Sequence, residues 1–178
     1  QQGDGWRLFD GKSLAMWDAN PEVWSVQDGE LVGKSPQGLA HNDFAVSHLL
    51  LADFELTFEV KLVDDVGNSG VQLRSTPAAN GEVKGYQADI GPGWWGKLYE
   101  ELGRGLLDPA DRDGLVEKGD WNRYRIVAEG TRVRTWLNDQ PCVDRDDAQA
   151  AREGVLALQV HSGVPTEVRF RNFDLKVK

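Results

Sequence analysis

The chain has one cysteine, Cys142, among 178 residues. A lone thiol excludes an intramolecular disulfide and a thiolate metal cluster. Its setting, Pro141-Cys142-Val143 after a turn at Asn138-Asp139, reads as a packed side chain on a strand, because free cysteine is among the most buried residue types. Only three histidines occur, His41, His48 and His161, with no HExxH helix or close ligand pair, which argues against zinc. No apolar run approaches the roughly 20 residues of a spanning helix, and none is longer than the stretch around Leu49 to Ala52, so membrane insertion is not expected. Basic residues are the minority, 20 against 29 acidic, for a net charge of −9. No basic cluster interleaved with aromatics offers a nucleic-acid footprint. Phosphate-cradling and dinucleotide fingerprints are missing, since Gly67-Asn68-Ser69-Gly70 is a turn into a strand. Helical periodicity is almost absent.

What remains is a pattern of period two. Phe54, Leu56, Phe58, Val60 and Leu62 alternate with Glu55, Thr57, Glu59 and Lys61, as in a half-buried antiparallel strand. Similar segments run over 70–74, 85–90, 121–128, 132–137, 155–161 and 168–177, and Trp24-Ser25-Val26 and Glu30-Leu31-Val32 form a hairpin about Asp28-Gly29. Glycine, asparagine and aspartate separate them as turn chemistry, at Asp64-Asp65-Val66-Gly67-Asn68, Asn80-Gly81, Glu129-Gly130 and Asn138-Asp139. Residues 107–115 read as a long loop and Asp147 to Arg152 as one helical turn. The expected fold is all-β: a two-sheet antiparallel jelly-roll sandwich, concanavalin A-like or laminin-G-like, with residues 1–178 as a single domain. The start at Gln1-Gln2 reads as an end left by signal-peptide removal or trimming.

Strand parity says which side chains share a surface. With Val71 and Leu73 toward the core, Gln72 and Arg74 face away. With Tyr86, Ala88 and Ile90 inward, Gln87 and Asp89 join that outer face. Leu158 and Val160 leave Gln159 and His161 outward, and Val133, Thr135 and Leu137 leave Arg134 and Trp136 out. If these strands are neighbours, the face suits a polyhydroxylated ligand, although any solvated antiparallel face looks polar. The segment GYQADIGPGWWGKLYEELGRG, residues 85–105, adds Trp94, Trp95, Lys97, Tyr99, Glu100 and Glu101 in a glycine-rich setting, with the aromatics as sugar-stacking candidates. Asp89, Glu100, Glu101 and His161 are then acid/base candidates for a glycosidase or for removal of a proton next to a carbonyl. The Asp64-Asp65 turn, with backbone carbonyls near Gly67, offers ligands to a calcium, and the favoured alternative is an acidic turn that merely stays solvated.

The opening GWRLFDGKSLAMW, then WSVQDGELVG, DFELTFEVKL, GNSGVQLRS, GYQADIG, WWGKLYEELGRG, WNRYRIVAEGTRVRTWLND and LQVHSGVPTEVRFRNFDLKV, together resemble the 3-keto-disaccharide hydrolase domain family, in order from Gly5 to Val177. The resemblance implies a concanavalin-like jelly roll, secreted or periplasmic in bacteria, with its ligand on the concave sheet. It also implies hydrolysis or elimination across glycosidic bonds of sugars oxidised to a ketone at C3. Such a ketone acidifies the C2 proton, so a base, an enolate stabiliser and a proton donor for the leaving oxygen are required. The motif positions on the proposed face are Arg74, Gln87, Asp89, Glu101 and His161, with Asp89, Glu101 or His161 as base or acid and Arg74 as stabiliser of negative charge. Gln72, Gln87, Trp94, Trp95, Lys97, Tyr99, Gln159 and Trp136 are the expected substrate contacts. A divalent metal is compatible with the family, with no ligands assigned. The E-x-D-x-x-E spacing of jelly-roll glucanases is missing, so a conventional retaining endoglucanase is disfavoured. The alternative is a non-catalytic carbohydrate-binding module of the laminin-G or concanavalin type.

Overall fold

A computed structural model describes residues 7–178; the Gln1-Gln2 start and the Gly5-Trp6 of the first motif lie outside the described residues. The architecture is the expected jelly-roll sandwich, two antiparallel sheets of seven strands. In chain order the strands are β1 (Trp17–Asp18), β2 (Trp24–Gln27), β3 (Glu30–Ser35), β4 (Asp43–Ser47), β5 (Phe54–Leu62), β6 (Ser69–Pro77) and β7 (Val83–Ile90). They continue as β8 (Leu98–Glu101), β9 (Gly105–Asp108), β10 (Asn122–Glu129), β11 (Arg132–Leu137), β12 (Gln140–Asp146), β13 (Val155–Val160) and β14 (Thr166–Val177). One sheet, here the site sheet, runs β1-β4-β13-β6-β7-β8-β9; the other, the backing sheet, runs β12-β11-β10-β5-β14-β3-β2. Among the described residues no helix is long and apolar enough to cross a membrane.

The alternation in β5 explains its central place. Phe54, Leu56, Phe58, Val60 and Leu62 are buried against the site sheet, and β10 and β14 flank it on either side. Phe58 stacks on Tyr124 with ring centres 5.5 Å apart and planes 8° from parallel. On the outer face Glu55 accepts from Arg125 at 2.8 Å and Glu59 from Arg171 at 2.6 Å, cross-strand pairs that fit an exposed sheet surface. The turns at Asp28-Gly29 and Asn138-Asp139 place both central residues at positive φ, the geometry that matches two-residue hairpins to strand twist.

Three local expectations change. The stretch read as a wide loop begins inside β9 and ends in a single 3₁₀ turn, Asp113–Leu115. Asp147 to Arg152 makes no helix; the Ala150 N–H closes a turn on the Asp147 carbonyl at 2.9 Å. The Asp147 carboxylate is held instead by Tyr86, Arg104 and Arg145. Strand β4 carries no alternation because Phe44 and Ala45 are buried on opposite faces, which hides it from a period-two reading.

Arg74 departs furthest from expectation. The β6–β7 register shifts between Leu73 and Thr76, and Arg74 has φ 48°, so parity fails at this residue. Its side chain leaves the outer face and is buried at the edge of the sandwich. There its Nε donates to the Ala52 carbonyl at 2.6 Å, Nη1 to the Gly130 and Ala151 carbonyls at 2.7 and 3.3 Å, and Nη2 to Asp53 at 2.7 Å. The guanidinium therefore clasps the site sheet to the turns of the backing sheet. Arg74→Met keeps the stem and strands three carbonyls, so we expect a loss of about 2–4 kcal/mol in unfolding free energy. Urea denaturation checks this, with the slope unchanged from the parent.

Candidate functional site

Register brings the polar outer face of the site sheet together. Gln87 of β7 pairs with Gln72 of β6 and with Tyr99 of β8, while Gln159 of β13 and Asp89 of β7 both pair with Gly70 of β6. Gly70 is the enabling residue: a Cβ there would lie 2.5 Å from the Gln87 side chain, so its absence lets that amide lie flat across β6. From this position Gln87 Nε2 donates to Asp89 Oδ1 at 2.8 Å and to Gln159 Oε1 at 3.1 Å. Four buried polar atoms are left without a partner, Gln72 Oε1, Gln87 Oε1, Gln159 Nε2 and Asp89 Oδ2. Buried polar atoms are normally paired, so four orphans on one face single it out as the candidate site.

Above them lies a pocket of about 350 Å³. Its floor is Gln87 and Asp89, and its walls are Asn42, Asn68, Tyr99, Glu101, Trp94 and His161. Asp89 is only 2% exposed, and burial pushes its carboxyl up to about 7. The Gln87 hydrogen bond opposes this shift, the Glu101 charge adds to it, and Lys97 partly offsets it. The Glu101 carboxyl is also raised, by burial and then by the charge of Glu82, with His161 acting the other way. His161 is exposed, and its Nδ1 lies 2.7 Å from the Ser162 carbonyl oxygen. A carbonyl only accepts, so Nδ1 carries the proton and Nε2 is free.

Trp94, 39% exposed, and Tyr99 meet edge to face at 6.2 Å and 76°, and the Lys97 ammonium stands 5.5 Å from the Trp94 ring centre. This is an apolar platform with a cation at its margin.

The pocket thus unites Gln87, Asp89, Trp94, Tyr99, Glu101 and His161, as parity and the loop composition suggested, with Lys97 at its edge. Gln72 and Gln159 lie on the same face but fully buried, Gln72 donating to the Val83 carbonyl at 2.9 Å. Three expected site residues are elsewhere, the charge stabiliser Arg74 and the substrate contacts Trp95 and Trp136. Arg74 is the clasp described above. Trp95 is a core residue, 1% exposed, whose Nε1 donates to Asp65 at 3.0 Å, because adjacent residues on the Gly91–Gly96 turn point to opposite sides. Trp136 belongs to the backing sheet, where Arg125 stacks 4.4 Å above its ring centre; parity placed it outward but not on which sheet.

Glu100 is turned away as well, accepting from Arg104. Cys142 is half-buried against the core, and burial raises its thiol. No grouping of three or more His, Cys, Asp or Glu able to hold a metal occurs among the described residues.

Asn42 and Asn68 were not foreseen. Each stands one residue before a strand, where asparagine reads as turn chemistry. The GNSG segment that contains Asn68 was the only available signal.

The profile of a family described as the 3-keto-alpha-glucoside-1,2-lyase-like domain matches residues 5–176. No curated protein matches the chain. Among solved structures, a glycosyl hydrolase candidate from Parabacteroides distasonis has a TM-score of 0.74 at 23% identity, covering 98% of this chain and 100% of its own. A carbohydrate-binding module from Bacillus subtilis has a TM-score of 0.69 at 21% identity, covering 90% of this chain and 95% of its own. A Bacillus subtilis protein described as having a galectin-like fold reaches 0.66 at 12% identity, covering 90% of this chain and 87% of its own. At these identities the likeness carries the fold alone.

The Asp89 environment has a signature in stability. An acid whose folded value lies above its unfolded one, here about 7 against 3.8, holds its proton more tightly when folded. Its contribution is full below the ordinary aspartate range and is lost as pH rises through about 7. Asp89→Asn removes that loss, so we expect the variant to be more stable than the parent by about 2–4 kcal/mol at pH 8 and nearly equal at pH 4. Urea unfolding at the two pH values checks it.

Proposed function

Because the chain belongs to the 3-keto-alpha-glucoside-1,2-lyase-like domain family, we propose that the pocket over Asp89 binds a glycoside oxidised to a ketone at C3 and cleaves it by β-elimination. The observation that carries the reading is Asp89 itself, a buried carboxyl near neutrality with Oδ2 unpartnered on the pocket floor. A base of that strength takes a proton from carbon better than an ordinary carboxylate and still ionises at working pH.

In the proposed step Asp89 Oδ2 takes the C2 proton, and the C2–H electron pair enters conjugation with the C3 carbonyl. The electrons return to form C1=C2 as the C1–O bond breaks, and the departing oxygen takes the proton of the Glu101 carboxyl, which burial helps it retain. Water added back to the double bond completes net hydrolysis. With Arg74 outside the pocket, Lys97 at its margin is the cation left to balance charge developing on the sugar. Gln87 is a positioning residue, because its amide fixes Oδ1 and leaves Oδ2 as the reactive oxygen. The platform of Trp94 and Tyr99 and the amides of Asn42 and Asn68 match the apolar faces and hydroxyls of a pyranose.

The likeness to a carbohydrate-binding module favours a second reading, a domain that holds a sugar without turning it over. A chromogenic 3-keto-glucoside separates the two. We expect release of the chromophore with kcat/KM rising toward alkaline pH through about 7, the direction set by ionisation of the base. Asp89→Asn should lower kcat by about 10²–10⁴-fold. Trp136→Ala should leave it unchanged. Binding without release by the folded parent would favour the second reading.

A further inference from the structure

Two connections border the outer face of the site sheet, and they are held in different ways. The β6–β7 hairpin folds over the middle of the face and is packed there: Val83 sits against Phe44 and Ala157, and its carbonyl accepts from Gln72. The β7–β8 connection, Gly91 to Lys97, leaves Trp94 39% exposed on the pocket wall. Gly93 before it and Gly96 after it stand at φ 76° and 73°. Glycines give such a turn a wide choice of backbone conformations. An aromatic surface that must be ordered on contact loses affinity to that ordering.

Side chains from outside the pocket tie this turn down. Asp65 accepts from Trp95 Nε1, as described above. The Gly93 N–H donates to Asp113 Oδ2 at 2.6 Å, and the Gly96 carbonyl accepts from Arg112 Nη1 at 3.2 Å. Arg112 and Asp113 are neighbours on the segment after β9, so one short stretch of chain holds both halves of the turn. Neither lines the pocket. The Arg112 side chain is itself fixed and only 10% exposed. Its Nη1 and Nη2 pair with the two oxygens of Asp108 at 2.8 and 3.1 Å, and Nη2 also donates to the Cys142 carbonyl of β12. One guanidinium thus joins the turn to β9 at the edge of the site sheet and to β12 at the edge of the backing sheet. Its stem lies against Gly96, where a Cβ would come 2.7 Å from Arg112 Cδ and 3.1 Å from Cys142 Sγ.

We propose that Arg112, helped by Asp113, is a positioning residue for the aromatic wall: it fixes the β7–β8 turn so that Trp94 is in place before a sugar arrives. This rests on the Asp89 pocket being a sugar site. Asp89 does not depend on the same tie. It lies opposite Gly70 on the regular part of the β6–β7 ladder, and its carbonyl accepts from the Tyr124 hydroxyl as well as from the Gly96 N–H, each at 3.3 Å. Loosening the turn therefore moves the surface that grips the ring and leaves the reacting carboxyl where it is. Binding suffers and chemistry does not. The fork matters more than the charge, because a lysine ammonium cannot serve Gly96, Asp108 and Cys142 together in one plane.

Two measurements test this, and the first needs no ligand. Amide hydrogen exchange in Arg112→Gln and Arg112→Lys should quicken about tenfold over residues 93–97 and stay at the parent rate in β5 and β10. On the chromogenic 3-keto-glucoside both variants should raise KM about tenfold, keep kcat within about twofold and retain the pH midpoint near 7. In a protein that binds without turnover, Kd takes the place of KM. Trp94→Ala should also raise KM about tenfold. Adding Arg112→Gln to it should raise KM no further, because the tie then has no ring to hold; a residue that only supports the fold would multiply the two penalties. If thermal melting shows the Arg112 variants unfolded, Asp113→Ala, which frees Gly93, takes their place with the same expectations. Parent exchange over residues 93–97, a fall in kcat at unchanged KM, or multiplied penalties would overturn the role of Arg112 and leave the pocket standing. Neither turnover nor binding by the parent would overturn the sugar pocket, and the positioning role with it.

Discussion

A carboxyl group held out of water with one oxygen unpartnered is the constraint on which the outer face depends. Burying Asp89 is unfavourable, and only one side-chain hydrogen bond, from Gln87, compensates it directly. That bond exists because Gly70 has no side chain, and the Gln87 amide is steadied in turn by Gln159. The backbone at Asp89 is anchored from below as well, where the Tyr124 hydroxyl of the backing sheet donates to the Asp89 carbonyl at 3.3 Å. Both sheets therefore contribute to keeping one acid poised.

The layers divide the work. The backing sheet presents ionic ladders such as Glu55–Arg125 and Glu59–Arg171 to solvent and aromatic packing to the core, and only Tyr124 of that packing reaches the backbone of Asp89. The site sheet buries amides that have no full complement of partners, at a cost to folding. Four such groups share the outer face of the site sheet with Asp89, while Asp113, Arg134 and Thr135 carry others elsewhere among the described residues. Arg74 joins the layers at the edge, a structural role for a cation that composition alone would place in chemistry.

Much of this was legible in the residues. Period-two alternation in β5 and the parity of Tyr86, Ala88 and Ile90 were enough to turn Gln87 and Asp89 outward, and the late strand did the same for Gln159 and His161. Parity holds only along an unbroken ladder, so it failed at Arg74, where a bulge reverses the side chain. Parity is also silent about sheet membership, which is why Trp136 appeared beside residues from which the whole sandwich separates it. Trp94 and Trp95 were equivalent in composition, and only the path of the Gly91–Gly96 turn sends one to solvent and the other to the core. Asn42 and Asn68 stayed hidden because β4 and β6 come near each other only through β13, a long-range arrangement that single residues before strands do not announce.

The hairpin over Ala157 has a bearing on the length of chain the molecule can accept. A polysaccharide drawn straight across the seven strands would collide with Val83, whose packing on Phe44 closes that route. Under the proposed chemistry, this surface suits short glycosides rather than a polymer threaded across the sheet.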